Sequence, residues 1–287
     1  MKELSKDQEN LIEVFKEYLR KKNMSENTER AYIRTVRQLL FASEDLSEDS
    51  LRKYRNLLIS GYRPATINQR VFAVNHFLLF LEEEYPADFT ALSGFRLHSV
   101  KTPRETFQDS IITNEDCETL ERNLKAEHHD FWYFIVRFLV TTGARVSELV
   151  QIKAEHLTCG YLDLYSKGGK IRRIYIPDSL CREAKAWCDC RGIVSGFLFV
   201  GKNGRPVTTR GIHSQLKHYA VRYGIDPDTM YPHSFRHRFA KNFLARSSDI
   251  SLLADLLGHE SIETTRIYLV TSGAEHQRTL DRLGLIS

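Results

Sequence analysis

The chain has 287 residues, a formal net charge of +4, and 42% hydrophobic and 27% charged residues. These values are typical of a water-soluble globular protein that is long enough for two ordinary domains. No apolar stretch approaches the roughly 20 residues that cross a bilayer, and the first residues lack the apolar core of a signal peptide. We therefore expect a cytoplasmic protein that does not associate with membranes.

The cysteines are odd in number, and none belongs to two matching Cys-x-x-Cys pairs. This usage predicts free thiols in a reducing compartment. Three of them could belong to a zinc site, but they lie on a predicted helix and no fourth ligand has suitable spacing. We predict no structural metal. The five cysteines are Cys117, Cys159, Cys181, Cys188 and Cys190, and the last three are the zinc candidates.

The positive charge is segregated along the chain. All of the excess lies after residue 100, and no acidic residue occurs between Asp189 and Asp226 or between Asp228 and Asp249. Such segregation favours a surface that follows a phosphate backbone, and a solvated basic face is the alternative. The basic residues of the first stretch are Arg191, Lys202, Arg205, Arg210, Lys217 and Arg222, and those of the second are Arg236, Arg238, Lys241 and Arg246.

The first third of the chain predicts amphipathic helices. Ser25 is a suitable N-cap, and apolar residues from Tyr32 to Leu40 then recur at helical spacing. A second helix begins at Pro64, with apolar residues from Ile67 to Leu81 on one side. The outer faces carry arginines, which suits a helical bundle lying along DNA, although ordinary solvated arginines are an equal alternative. The expected DNA contacts here are Arg34, Arg37, Arg63 and Arg70.

Helical periodicity stops between Gly94 and Thr113, where Pro103 prevents a helix from continuing. We place the domain boundary here and expect domains at 1–103 and 104–287.

The second domain is predicted to be mostly helical with a small sheet. Thr113 caps a new helix, and the run 131–140 is apolar enough to be a buried helix that ends at 141–143. Residues 161–176 alternate around a Lys-Gly-Gly-Lys turn, which indicates a β-hairpin with lysines at its tip. Helices follow from Ser179 onward, with a further turn at 202–206.

Six residues in this domain follow one another in an order that packing alone does not explain. The cationic groups precede a single phenol, which predicts a site that grips a phosphate beside a nucleophile. Arg145 lies in Thr-Gly-Ala-Arg-Val-Ser-Glu-Leu, and Lys167 in Ser-Lys-Gly-Gly-Lys. His233 and Arg236 lie in His-Ser-Phe-Arg-His, and Tyr268 ends a segment that begins Leu-Gly-His with His259.

At these residues the chain resembles the tyrosine site-specific recombinases, the phage-integrase-like family that includes the Xer-type enzymes. The family's arginine, lysine, His-x-x-Arg, second histidine and tyrosine match Arg145, Lys167, His233, Arg236, His259 and Tyr268 in order. Its acidic residue three positions after the first arginine is matched by Glu148. The resemblance implies a mainly α fold with a small β-sheet, comprising an N-terminal helical, SAM-like core-binding domain and a C-terminal catalytic domain.

The residue types suit phosphodiester chemistry. Guanidinium groups such as Arg145 and Arg236 stay charged and donate paired hydrogen bonds to non-bridging oxygens. A lysine at the hairpin tip can give a proton to the leaving 5′ oxygen, and the resemblance favours Lys167 over Lys170.

Tyr268 is the expected nucleophile and needs help to lose its proton, because a phenol has a pKa near 10. The family pattern gives His233 the acid/base role and His259 a phosphate hydrogen bond, while the residues alone leave these two roles interchangeable. Glu148 is expected to orient Arg145 or a histidine.

The predicted reaction is a transesterification in which Tyr268 forms a 3′-phosphotyrosyl bond and releases a 5′ hydroxyl. It needs no ATP, metal or other cofactor, since the bond energy is retained. The expected partner is double-stranded DNA. The expected contacts in this domain are Lys170, Arg172, Lys202, Arg205, Arg210 and Arg238.

The resemblance also implies a tetramer on two DNA sites in a bacterial nucleoid, with an accessory DNA-bending protein or a second recombinase as a further partner. Residues 269–287 are an apolar tail that docks on a neighbouring subunit or packs within its own. The outcome is integration, excision or inversion of DNA, as in a mobile element.

Three other functions share some of these features. A type IB topoisomerase-like enzyme would relax DNA with the same chemistry, but the two-domain layout favours recombination. An inactive DNA-binding regulator would have no reason to keep all six residues. A metal-dependent nuclease would show carboxylates where this chain shows cations.

Overall fold

The computed structural model describes residues 4–43, 45–102, 111–165, 171–201, 203–259 and 261–269. The chain divides into two compact units, Met1–Glu105 and Thr106–Ser287. The DNA-binding and catalytic roles assigned to them above remain predictions. The architecture is mainly helical with a two-stranded sheet, as predicted.

The first unit is a helical bundle. Ser5, Ser25 and Ser47 each cap a helix by accepting a hydrogen bond from the backbone N–H three residues ahead. The predicted cap at Ser25 and the predicted helix start at Pro64 are both confirmed. The helices are α1 Lys6–Lys21, α2 Glu26–Ala42, α3 Glu48–Gly61 and α4 Pro64–Glu84, followed by a 3-10 turn at Thr90–Leu92.

An aromatic cluster forms the centre of this bundle. Phe15 of α1 meets Phe77 edge to face at 5.1 Å and Phe80 at 5.2 Å between ring centroids. All three rings are fully buried. Because each such ring removes a large apolar area from water, this contact between α1 and α4 is a main source of the unit's stability.

Two asparagines of α4 hold the chain that follows the bundle. Asn75 exchanges two hydrogen bonds with the backbone of Leu97, at 2.9 and 3.0 Å. Asn68, two helical turns earlier, does the same with Val100, at 2.8 and 2.9 Å. Each amide therefore replaces the partner that a neighbouring strand would supply. We call residues 97–102 the strap.

The second unit is mostly helical. Its elements are α5 Asn114–Ala126, α6 Asp130–Thr142, α7 Val146–Leu149, α8 His156–Cys159, β1 Tyr161–Tyr165, β2 Ile171–Tyr175, α9 Asp178–Arg191, α10 Thr209–Tyr223, α11 Pro232–Arg246, α12 Ile250–Leu257, α13 Glu263–Arg266 and a 3-10 turn at Ile267–Leu269. The cap at Thr113 and the buried helix ending near residue 142 are confirmed.

The predicted hairpin is confirmed as an antiparallel pair. Tyr161 faces Tyr175 at one end of the ladder and Tyr165 faces Ile171 at the other. Its turn, residues 166–170, lies outside the described residues. Two isolated antiparallel bridges, one between Lys153 and Phe197 and one between Val200 and Pro206, were not predicted.

Helix α6 is the centre of the second core. Its residues Ile135, Val136 and Phe138 are fully buried, and it packs against α5 and α11. Helix α11 also fixes the start of the unit, because the Ser234 hydroxyl accepts the Ile112 N–H at 2.7 Å. This contact positions α11, the helix that carries the His-x-x-Arg motif.

Within the described parts of the chain, no helix combines the length and apolarity that a membrane crossing requires. The five cysteines are unpaired, and burial raises the pKa of the Cys117 thiol to about 12. Among the same residues, no group of three or more His, Cys, Asp or Glu side chains is arranged to hold a metal ion.

The strap gives a local test of this architecture. In Asn68→Leu, the Val100 amide should exchange its hydrogen for deuterium about fivefold to tenfold faster, because one intramolecular hydrogen bond contributes about 1 kcal/mol net. The Leu97 amide, held by Asn75, is the internal reference, and Gln69→Leu is the matched control on the same helix. Equal exchange of Val100 in both variants would contradict this role of Asn68.

Candidate active site

The side chain of Arg236 is buried between two helix ends. It projects from α11, is 1% exposed, and is among the largest fully buried side chains of the described structure. Its Nη1 donates to the Gly143 carbonyl at 2.8 Å, and its Nη2 donates to the Leu257 carbonyl at 2.6 Å. Its Nε has no hydrogen-bond partner among the described residues.

The two carbonyls belong to helix C-termini, which carry partial negative charge. Helix α6 ends at Gly143 and α12 ends at Gly258, both in the left-handed conformation, with φ of 61° and 60°. At Gly143 a Cβ would lie 2.5 Å from the Phe239 ring, so only glycine lets α11 approach this closely. Burial and the nearby arginines lower the pKa of Arg236 to about 10, which leaves it charged at neutral pH.

A single carboxylate links two further arginines. Arg145 is the N-cap of α7, and Glu148 reaches back to accept its backbone N–H at 2.6 Å. The other carboxylate oxygen accepts Nη1 of Arg145 at 2.9 Å and also Nη1 of Arg172 from β2. The side chain of Glu148 is 9% exposed and that of Arg145 is 43% exposed. Glu148 is thus enclosed, while Arg145 remains open to a ligand.

Tyr268 lies in the 3-10 turn after α13, against Ala240, Leu253 and Leu257. It is 9% exposed. Its ring centroid lies 5.3 Å from that of His237 and 6.4 Å from that of His259. Burial raises the pKa of Tyr268, and the positive charges of Arg236 and Arg145 oppose that rise.

Three histidines form a cluster at this site: the rings of His237 and His259 lie near Tyr268, and the ring of His233 lies 4.4 Å from that of His237 between centroids. Nδ1 of His259 lies 2.6 Å from the hydroxyl of Thr265, which is fully buried. Burial, and then the charges of the neighbouring arginines, lower the pKa of His259 to about 4. The pKa of the buried His237 falls to about 4 for similar reasons, and desolvation and Arg236 also lower the pKa of His233. His237 and His259 are therefore neutral at pH 7.

Among the described residues, the charges of this cluster do not cancel. Arg145, Arg172 and Arg236 converge here, and Glu148 is the acidic group that contacts two of them. Buried unbalanced charge is costly unless a counter-charge arrives. The site is consequently suited to bind an anion beside the Tyr268 hydroxyl.

The structure brings together Arg145, Glu148, His233, Arg236, His259 and Tyr268, all predicted for the site. Lys167, Lys170 and Lys202 lie outside the described residues. Among the predicted DNA contacts, the exposed residues are Arg34, Arg37, Arg63, Arg205 and Arg210.

Several predicted DNA contacts have partners within the protein. Arg37 pairs with Glu9 at 2.7 Å, and Arg70 lies 3.8 Å over the ring of Tyr62. Nε of Arg238 donates to the Ile112 carbonyl at 2.6 Å. Arg172 is 12% exposed in its pair with Glu148, where the prediction had placed it on the DNA surface.

Comparison with known proteins identifies the family of the chain. The profile of the phage integrase family matches residues 111–274, which contain all of the clustered groups. The chain belongs to the phage integrase family of tyrosine recombinases. It is 32% identical over 285 residues to tyrosine recombinase XerA of Pyrococcus furiosus, covering 96% of this chain and 94% of that protein. It is 28% identical over 280 residues to tyrosine recombinase XerD of Staphylococcus haemolyticus, covering 91% and 93%.

Family members also share the fold. A solved structure of the Tn1549 transposon integrase in complex with transposon right end DNA aligns with a TM-score of 0.71 and 17% identity. The alignment covers 96% of this chain and 99% of that one.

The sequence reasoning missed two groups of this candidate site. It treated Arg172 as a DNA contact and did not single out Thr265. The alternation along β2 holds a usable signal, because Arg172 shares a strand face with the buried Ile174. For Thr265 we find no such signal, since its partner is set by the turn that follows α12.

The depressed pKa values predict acid sensitivity. The unfolded chain takes up protons near pH 6.5, whereas folded His237 and His259 resist protonation down to about pH 4. The stability that the two neutral histidines contribute is therefore fully present above pH 6.5 and is lost as the pH falls toward 4. For His237 the loss between pH 7 and 5 should be about 2 kcal/mol in the free energy of unfolding.

Urea unfolding at pH 7 and pH 5 measures this loss. His237→Gln should reduce the difference between the two pH values, and His213→Gln, at an exposed position of α10, should leave it unchanged. An unaltered pH dependence in His237→Gln would refute the assignment.

Proposed function

We propose that this family member is a site-specific DNA recombinase that cleaves and rejoins strands through a 3′-phosphotyrosyl intermediate. One observation carries the proposal: the buried, charged guanidinium of Arg236 and the more open one of Arg145 converge on the phenol of Tyr268. Cations fixed in place beside a nucleophile are what attack on a phosphodiester requires.

Arg145 and Arg236 hold the non-bridging oxygens of the scissile phosphate. Arg236 is fixed by the two helix ends, so little reorganisation accompanies the reaction. Arg145 is fixed by Glu148 on one side and stays accessible on the other. Together they offset the negative charge that grows as the phenol attacks.

The Tyr268 hydroxyl attacks the phosphorus atom and passes its proton to a base, and the 5′ oxygen leaves with a proton. His233 is the proposed base, because it is neutral in the charged site and lies at the exposed edge. In the tautomer that accepts the Thr265 hydroxyl at Nδ1, His259 carries its proton on Nε2 and donates it to a phosphate oxygen.

Lys167 is proposed to protonate the leaving 5′ oxygen, with Lys170 as the competing residue. Attack by a 5′ hydroxyl from another strand then reverses the reaction and exchanges partners. Because the phosphotyrosyl bond conserves the energy of the cleaved bond, rejoining needs no nucleotide cofactor.

The proposed partner is double-stranded DNA, with the helical first unit and the catalytic second unit both on the duplex. The exposed arginines Arg34, Arg63, Arg205 and Arg210 are suited to phosphate contacts. Exchange between two sites calls for a tetramer, and residues 269–287 are the proposed link between subunits. An accessory DNA-bending protein or a second recombinase remains part of this proposal, as does integration, excision or inversion as the outcome.

Covalent trapping tests the proposed nucleophile. On nicked suicide substrates drawn from the DNA flanking the gene, wild-type protein should form a protein–DNA adduct without added metal. Tyr268→Phe should form none while it retains DNA binding, and Tyr223→Phe, which removes a hydroxyl remote from the site, should react normally. An adduct in Tyr268→Phe would disprove the assignment, and tight DNA binding without any wild-type adduct would favour an inactive DNA-binding protein.

A sulfur substitution separates the two lysines. Lys167→Ala should slow adduct formation by about a hundredfold on normal DNA, since general acid catalysis contributes about 10²–10⁴-fold. With sulfur in place of the 5′ bridging oxygen, the leaving thiolate needs no proton, so the variant should recover most of its rate. Lys170→Ala is the matched control, and rescue confined to it would reverse the roles of the two lysines.

A further inference from the structure

Arg172 is buried in the active site although no step proposed above uses it. It lies on β2 and its side chain is 12% exposed. Its Nη1 donates to the carboxylate of Glu148, the same oxygen that accepts Nη1 of Arg145. The adjacent Arg173 faces the other way, is 42% exposed, and pairs with Asp163 at 2.7 Å. Two neighbouring arginines thus occupy opposite faces of one strand.

Arg172 is buried more deeply than its single ion pair explains. Its Nε and Nη2 are buried without a hydrogen-bond partner among the described residues. Burying two unpaired donors of a charged group costs free energy, so an arginine at this position lowers the stability of the fold. Such a cost is more readily explained by function than by packing.

A second contact ties Arg172 to the turn that carries His259. Gly258 is left-handed at φ 60°, and a Cβ there would lie 2.4 Å from Cδ and 2.5 Å from Nε of Arg172. The guanidinium stem therefore occupies the space beside Gly258 and is covered by the turn. The charge of Arg172 also contributes to the lowered pKa of His259.

Arg172 also lies next to the last residue pair of the ladder between β1 and β2. Tyr165 and Ile171 are the last pair of the ladder, and Arg172 faces Leu164 in the next pair. In the sequence, Lys167 lies between Tyr165 and Ile171. Arg172 therefore links three segments that carry proposed reacting groups: the start of α7, the hairpin and the turn after α12.

We infer that Arg172 is a positioning residue of the recombinase site, which fixes Glu148 so that Arg145 is presented to the scissile phosphate. It acts through Glu148 and not by contact with DNA. This inference rests on the proposed function, because it assigns Arg145 to the phosphate. We therefore predict that loss of the Arg172 guanidinium slows cleavage without lowering the affinity for DNA.

The test compares Arg172→Lys with wild type and with Arg173→Lys, the matched control on the exposed face. Each protein reacts with a nicked duplex that carries either a normal scissile phosphate or a methylphosphonate there. The methyl group removes one negative charge, so the reaction relies less on an arginine. DNA affinity is measured at several salt concentrations, and thermal unfolding shows that each variant is folded.

Arg172→Lys should form adduct about tenfold or more slowly on the phosphate, as when a fixed charge stabiliser is misplaced. On the methylphosphonate it should lose about threefold or less, and its DNA affinity should stay within about twofold of wild type. Arg173→Lys should match wild type throughout, because an exposed ion pair contributes little.

Four results would overturn the inference. Equal losses on both substrates, or failure of Arg172→Lys to fold, would make Arg172 purely structural. A weaker affinity with a salt dependence reduced by about one counterion would make it a direct DNA contact. Rates equal to wild type would leave it without a role. Absence of an adduct in wild type would instead contradict the proposed function itself.

Discussion

The burial of one guanidinium between two helix C-termini is the constraint on which the fold of the second unit depends. Arg236 is satisfied by the Gly143 and Leu257 carbonyls, so α6, α11 and α12 must meet at one point. The left-handed glycines that end α6 and α12 make that meeting possible, since a side chain at either position would collide with a neighbour. The phenol of Tyr268 then packs against the buried face of α11 and α12. The same contacts therefore hold both the fold and the site, so a change that loosens either helix end also displaces the guanidinium of Arg236.

This arrangement places the electrostatic work of catalysis in the folded protein, before DNA arrives. Arg145 and Arg172 share the carboxylate of Glu148, and the guanidinium of Arg236 donates to two backbone carbonyls. Burial, and then the nearby positive charges, lowers the pKa of His237 and His259, which keeps them neutral as donors and acceptors. A phosphate that enters the site offsets part of the free energy lost in burying these charges. Binding and activation of the phosphate consequently have the same physical source.

The sequence was sufficient where the determining interactions are local. The caps at Ser25 and Thr113 and the hairpin around residues 166–170 depend on neighbours in the chain, and the described parts of each were predicted. The order of motifs also identified the residues that converge at the site. What could not be predicted is the contact between residues 93 positions apart that buries Arg236. The placement of Arg172 was within reach, because its strand face is set by alternation, but two consecutive arginines give no charge pattern that distinguishes inside from outside.

In the proposed function both units bind one duplex, and the strap then affects the length of chain between them. Asn68 and Asn75 fix residues 97–102 on α4. The chain that connects the two units therefore begins at the end of the strap and not at Glu84, where α4 ends. Once one unit is bound, the local concentration of the other at the adjoining DNA falls as the connecting chain lengthens. In that proposed complex the two asparagine side chains would raise the avidity, because they shorten the connecting chain without adding a contact to the nucleic acid.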